Sequence, residues 1–326
     1  MAAPLAAGED QADLLSPRAD RSLLAIGPPL CYPAAMIRLA IIAALASFAM
    51  MPSATFTPLT WADLTSRPRP SPQATIAYGA DPYQKVDIWL PAGNGPFPVV
   101  LMVHGGCWTT SIADRSLMNW AAEDLRKAGY AVWNIDYRGV DRPGGGYPGT
   151  FLDAAVATDL LRTTAAKYRL DLNRVVAVGH SAGGHLALWL AARAKLPSDS
   201  PLRTADSLPI AHVVSLGGLP DLEATAASPD NGCGTDVVGR LVGTGRADPY
   251  ADTSVPRLFP LGVPQDLVNG REDAIIPFRL ATDYVAKAKG EATLHTVADT
   301  GHVELITPGT AAWTETKRLI AKAFRR

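Results

Sequence analysis

Val175-Val176-Ala177-Val178-Gly179-His180-Ser181-Ala182-Gly183-Gly184-His185-Leu186-Ala187-Leu188 is the stretch whose reading decides the fold. A β-branched apolar run ends in Gly-His-Ser-Ala-Gly and passes directly into an apolar, helix-forming run. The pattern predicts strand, sharp turn and helix. A serine at the apex of such a turn holds its hydroxyl above the sheet edge. Gly179 and Gly183 flank it because side chains there would collide across the turn. Ser181 is therefore the candidate nucleophile. The backbone N–H of the next residue, Ala182, is a candidate donor to an oxyanion.

A serine hydroxyl is a weak nucleophile at neutral pH and needs a base, an orienting acid and donors for developing negative charge. The expected chain order is serine, acid, histidine. Leu267-Val268-Asn269-Gly270-Arg271-Glu272-Asp273 reads as a short strand followed by a polar turn. It offers Glu272 and Asp273 as the acid. His302, in Asp299-Thr300-Gly301-His302-Val303-Glu304, follows a strand-like run and a polar loop. Of the six histidines it alone lies in a loop after the acid. His180 and His185 flank the elbow, His104 opens a glycine turn, and His212 and His295 sit inside strand runs. Leu101-Met102-Val103-His104-Gly105-Gly106-Cys107-Trp108 is another apolar strand ending in glycines, where bare backbone N–H groups can approach a charge.

These motifs resemble the α/β-hydrolase superfamily, and most closely its bacterial carboxylesterase and kynurenine-formamidase-like branch. That branch carries a His-Gly-Gly-x-Trp motif, here His104 to Trp108, and a Gly-His-Ser-Ala-Gly-Gly-His elbow, here Gly179 to His185. The similarity runs roughly from Tyr78 to Phe324. It implies that the N–H groups of Gly106 and Cys107 join that of Ala182 as oxyanion donors. It also implies that the aspartate of an Asp-x-x-Val-Pro pattern is the acid, which selects Asp273 over Glu272. Trp108, just after the hole motif, becomes a candidate wall of the substrate pocket, with a core position as the alternative. Two departures weigh against a formamide substrate. Cys107 stands where formamidases often have tyrosine, and Asn269 replaces a frequent histidine.

The composition fits an ordinary globular enzyme. The 326 residues are 48% hydrophobic and 19% charged, with a formal net charge of -1. No basic stripe, phosphate-binding loop or His/Cys metal spacing is visible, so no nucleic acid, cofactor or metal is expected. The Gly144-Gly145-Gly146 run reads as a mobile loop near the site.

The amino end differs from the rest. Residues 1–35 are Ala/Pro-rich, after which Met36-Ile37-Arg38 opens the apolar run Leu39 to Met51. This reads as a signal peptide over 36–54 with translation starting at Met36, and hence a secreted or periplasmic enzyme, or a cytoplasmic one without a working leader. The run is short for a membrane span, so no stable insertion is expected. The division is a leader region at 1–54, a linker at 55–73 and a hydrolase domain at 74–326. Three cysteines argue against a disulfide framework, with a Cys107–Cys233 bridge as the minor alternative in an oxidising compartment.

Strand-like runs recur near 75–79, 84–90, 98–103, 131–136, 175–179, 210–215, 265–269 and 292–297. Helical patterns fill the gaps near 115–128, 151–168, 182–194, 278–288 and 310–324. Alternation of the two predicts an α/β fold, a doubly wound, mostly parallel eight-stranded sheet. Residues 222–262 read as a small lid insertion. The functional expectation is a serine hydrolase cleaving small carboxylic esters, with an arylformamidase or a catalytically silent binding protein as alternatives.

Overall fold

The computed structural model describes residues 56–325. The leader expected at 36–54 lies outside them.

Eight strands form one sheet: β1 Ala74–Ala77, β2 Lys85–Trp89, β3 Phe97–Val103, β4 Ala131–Ile135, β5 Leu170–His180, β6 His212–Leu216, β7 Gln265–Gly270 and β8 Ala292–Val297. Their spatial order is β1-β2-β4-β3-β5-β6-β7-β8. β1 and β2 run antiparallel to their neighbours, and the pairs from β4 to β8 are parallel. Period-two alternation within the apolar strands feeds two cores. Val99, Leu101 and Val103 of β3 join one, while Val100 and Met102 join the other.

The helices are α1 Trp61–Thr65, α2 Asn119–Lys127, α3 Gly149–Asp159, α4 Leu161–Tyr168, α5 Ala182–Ala192, α6 Leu222–Ala226, α7 Asp236–Val242, α8 Phe278–Lys287 and α9 Ala311–Ala323. Residues of α3, α5 and α8 pack into the first core, and those of α2 and α9 into the second. α5 is buried from Ala182 to Leu190, as its unbroken apolar sequence requires.

Three expectations need correction. The helix read over 151–168 is two, parted at Leu160. The segment 222–262, read as a small lid insertion, is packed down, with Leu222, Val237, Val238, Leu241 and Val255 buried in the first core. The Gly144–Gly146 run lines no part of the cavity described below. A Cβ on Gly145 would lie 1.8 Å from the Gly139 carbonyl oxygen, so the turn is closely packed.

The segment 55–73, read as a linker, also carries structure. Thr60 caps α1 through a reciprocal bond with Asp63. Leu64 is fully buried in the second core. Further along, the Pro68 carbonyl accepts from Trp120 Nε1 at 3.1 Å, and the Pro70 carbonyl from Asn119 Nδ2 at 3.0 Å.

Near the amino ends of the strands, Asp266 of β7 sits between two histidines. Its carboxylate bonds His212 Nε2 and His295 Nε2, each at 2.7 Å. Burial alone would push this carboxyl up, but the bonds from His212 and His295 outweigh it and hold it down at about 2. The folded carboxyl is thus more acidic than the unfolded one. Its contribution is present above the unfolded value near pH 4 and is lost as pH falls from about 4 to about 2. Asp266→Asn should cost about 2 kcal/mol of unfolding free energy at pH 7. In urea titrations the gap from wild type should close as pH falls through that window.

Candidate active site

The loops at the carboxyl ends of β3, β5, β7 and β8 converge on one edge of the sheet, as expected for ligand sites in open α/β sheets. Ser181 ends the β5 turn with φ 54° and ψ −124°, a region that residues with a Cβ seldom occupy. Its N–H donates to the Leu216 carbonyl at 2.8 Å, which ties the turn to β6. The flanking glycines are sterically required. A Cβ on Gly179 would come within 2.0 Å of the Gly183 oxygen, and one on Gly183 within 2.3 Å of the Val103 oxygen.

The β3 loop lies directly against this turn. A Cβ on Gly105 would stand 3.0 Å from the Ser181 Cβ. Gly106, Cys107 and Trp108 all have positive φ, 106°, 53° and 52°. Two consecutive non-glycine residues in the left-handed region mark a strained turn of the kind found at functional sites. Among the described residues, the N–H groups of Gly106 and Cys107 donate to no backbone carbonyl. His104 braces the loop from behind. Its Nε2 lies 2.9 Å from Asp136 Oδ1, its ring stacks on Tyr137, and the Tyr137 hydroxyl donates to the His104 carbonyl.

Asp273 and His302 meet as anticipated. His302 Nδ1 lies 2.7 Å from Asp273 Oδ2. The other carboxylate oxygen, Oδ1, accepts the N–H groups of Ile275 at 2.9 Å and Ile276 at 2.8 Å. Both side chains are buried and pack on Gly217, where a Cβ would come within 3.2 Å of His302 Nδ1. Glu272, the competing acid, is exposed and only accepts a 3.3 Å bond from the Thr300 N–H.

A cavity of about 330 Å³ opens over these groups. Gly106, Cys107, His180, Ser181 and His302 form its polar end, and Trp61, Ile112, Leu117 and Ile275 give it an apolar wall. Trp108 is absent from that wall. It is 0% exposed and packs edge-on against His185 in the core, at 5.5 Å between ring centroids. The left-handed turn at Trp108 sends the large ring inward. Burial holds the neighbouring His185 down at about 4, despite its bond to the Thr253 carbonyl, so it stays neutral.

Three residues contribute to the site beyond the roles the sequence assigned them. His180 donates from Nε2 to the His302 carbonyl at 3.2 Å and so steadies the histidine loop. Burial, reinforced by the neighbouring His302, drives its basicity well below the usual imidazole range, which keeps it neutral. Trp61 comes from the segment read as a linker. Cys233 forms a disulfide with Cys107, with 5.3 Å between Cα atoms. This corrects the reading against a bridge. The fold brings the 222–262 segment back over the β3 loop, a contact across 126 residues that makes the minor alternative the observed one.

The fold and the placement of these loops define an α/β hydrolase. The chain belongs to the BD-FAE family, whose profile matches residues 86–287. It is 27% identical over 225 residues to the esterase LipC of Mycobacterium tuberculosis, covering 66% of this chain and 54% of that protein. It is 31% identical over 114 residues to the isoprenylcysteine alpha-carbonyl methylesterase ICME of Arabidopsis thaliana, covering 35% and 26%. The chain thus spans about half or less of the length of these relatives. Esterase B from Lactobacillus rhamnosis shares the fold, with TM-score 0.66, 20% identity and coverage of 89% of this chain and 95% of that one. So does Thermogutta terrifontis esterase 2 phosphonylated by sarin, with TM-score 0.63, 19% identity and coverage of 79% and 95%.

Because Cys107 contributes backbone to the turn facing Ser181, its bridge ties that turn to Gly232, which also lines the cavity. Reduction with a dithiol should lower unfolding free energy by about 5 kcal/mol, since the bridge closes a loop across 126 residues. The urea midpoint reads that loss.

Proposed function

We propose that this protein is a serine hydrolase that cleaves small carboxylic esters through an acyl-enzyme. The observation that carries this reading is the 2.7 Å bond between His302 Nδ1 and Asp273 Oδ2, with His302 and Ser181 lining one cavity. His302 donates its Nδ1 proton to Asp273, which leaves Nε2 as the base. Nε2 takes the Ser181 proton as Oγ attacks the carbonyl carbon. The carbonyl oxygen becomes an oxyanion held by the N–H groups of Gly106, Cys107 and Ala182. Asp273 stabilises the imidazolium, which then protonates the leaving alcohol. Water, deprotonated by His302, attacks the acyl-enzyme and releases the acid. This sequence draws on protein groups and water and calls for no cofactor.

The apolar wall of Trp61, Ile112, Leu117 and Ile275 supports a small, uncharged ester as substrate. The esterase names of several relatives support the same reaction class. The enzyme works in an oxidising compartment, secreted or periplasmic. The Cys107–Cys233 bridge supports this, since cytoplasmic reductants keep thiols reduced.

A panel of p-nitrophenyl acetate, p-nitrophenyl butyrate and a formylated aromatic amine tests the reading. The esters should exceed the formamide in kcat/KM by at least about a hundredfold. Faster cleavage of the formamide would make the protein a formamidase. Binding of the substrates with no acyl-enzyme would make it a silent binder.

A further inference from the structure

A second apolar hollow, of about 240 Å³, adjoins the first. Pro58, Leu59, Trp61, Ala274, Ile275 and Val303 form its apolar walls, and Glu272 and His302 border it. Trp61, Ile275 and His302 are common to the two spaces, whereas Ser181, Gly106 and Cys107 face only the first. The Trp61 ring stands edge-on to His302, at 6.2 Å between centroids, and to His180, at 6.1 Å. It is therefore the partition between the hollows, and it remains 37% exposed.

The partition is fixed to the catalytic loop. One oxygen of the buried Glu304 accepts the Leu59 N–H, and the other accepts the Gly301 N–H at 3.1 Å, next to His302. The arm that carries Trp61 is thus tied to the loop that carries the base. The capped turn of α1 and the buried Leu64 set the direction in which Trp61 points.

Resting on the ester-hydrolase reading above, we propose that the hollow walled by Pro58, Leu59, Trp61 and Val303 binds the alcohol half of an ester whose alcohol is apolar. The leaving oxygen must lie beside His302, because that residue protonates it. The atoms beyond that oxygen then run along the His302 side, where this hollow opens. The acyl half remains in the first cavity, against the turn of Gly106 and Cys107. Trp61 is the specificity-determining residue that forms the wall between the two halves.

Alkyl acetates separate this from a general apolar preference, because methanol and hexanol are leaving groups of similar basicity. Burying even two of the five added methylenes is worth roughly tenfold. Wild-type kcat/KM for hexyl acetate should therefore exceed that for methyl acetate by about tenfold or more. In Trp61→Ala that ratio should fall at least about fivefold, while in Pro58→Asp, which leaves the walls of the first cavity in place, the ratio of methyl hexanoate to methyl acetate moves by less than about twofold. Pro58→Asp, which alters only the second hollow, should also lower the hexyl-to-methyl acetate ratio and guards against misfolding of the first variant. A merely structural effect would lower all three substrates together and leave the ratios in place. An unchanged hexyl-to-methyl ratio in both folded variants overturns the proposal, as does a shift confined to the acyl series. If the wild type hydrolyses none of the esters, the ester-hydrolase reading fails first and takes this assignment with it.

Discussion

On the mechanism proposed above, Ser181→Ala should lower kcat by about a million-fold, with KM little changed. The size follows from what the substitution removes. The attacking oxygen is lost, and His302 and Asp273 then have no proton to accept or hold. Residual rate comes from the backbone donors and from substrate binding alone. The fold should survive. Alanine meets the same strain at φ 54° that serine does, and the backbone bond from residue 181 to the Leu216 carbonyl is kept. Steady-state hydrolysis of p-nitrophenyl butyrate, with active-site titration to exclude wild-type carry-over, gives the number. A variant keeping more than about 1% of wild-type kcat would place the nucleophile elsewhere.

On the same proposed mechanism, Asp273→Asn should lower kcat by about ten-thousand-fold. The substitution preserves shape, and an amide oxygen can still accept the Ile275 and Ile276 N–H groups. The amide nitrogen then faces His302 Nδ1, and two donors cannot share that 2.7 Å contact. The ring must place its proton on Nε2, which removes the base. The imidazolium formed later also loses its counter-charge. Glu272→Gln is the control, since its exposed side chain accepts only from the Thr300 N–H. It should stay within about twofold of wild type. Near-full activity in Asp273→Asn together with loss in Glu272→Gln would reverse the assignment of the acid.

Local chemistry made the elbow legible. Only glycine fits where a Cβ at 179 or 183 would strike a carbonyl oxygen, so the Gly-His-Ser-Ala-Gly spacing carries the turn by itself. The central strands were equally readable, because burial on both faces demands apolar runs such as Val99 to Val103, whereas the outer strand β1 alternates between half-buried and exposed residues. Chain order offered Glu272 or Asp273 as the partner of His302, and the resemblance to the α/β-hydrolase branch selected Asp273. What the sequence did not disclose depends on distant contacts. Trp108 turns into the core because residues 107 and 108 both adopt left-handed conformations, which no residue type there announces. The Cys107–Cys233 bridge needs the 222–262 segment to pack into the core first. Trp61 comes from a Pro/Ser/Thr-rich stretch whose composition suggests a linker. Its place depends on Leu64 in the second core and on Glu304, some 240 residues away, accepting the Leu59 N–H.

Ser181 is the proposed attacking group. Treatment of the purified protein with a fluorophosphonate, followed by peptide mapping in a mass spectrometer, tests this most directly. A stoichiometric adduct on Ser181 that disappears in His302→Ala is the predicted result. An adduct on another residue, or ester hydrolysis by a protein whose Ser181 stays unlabelled, would contradict it.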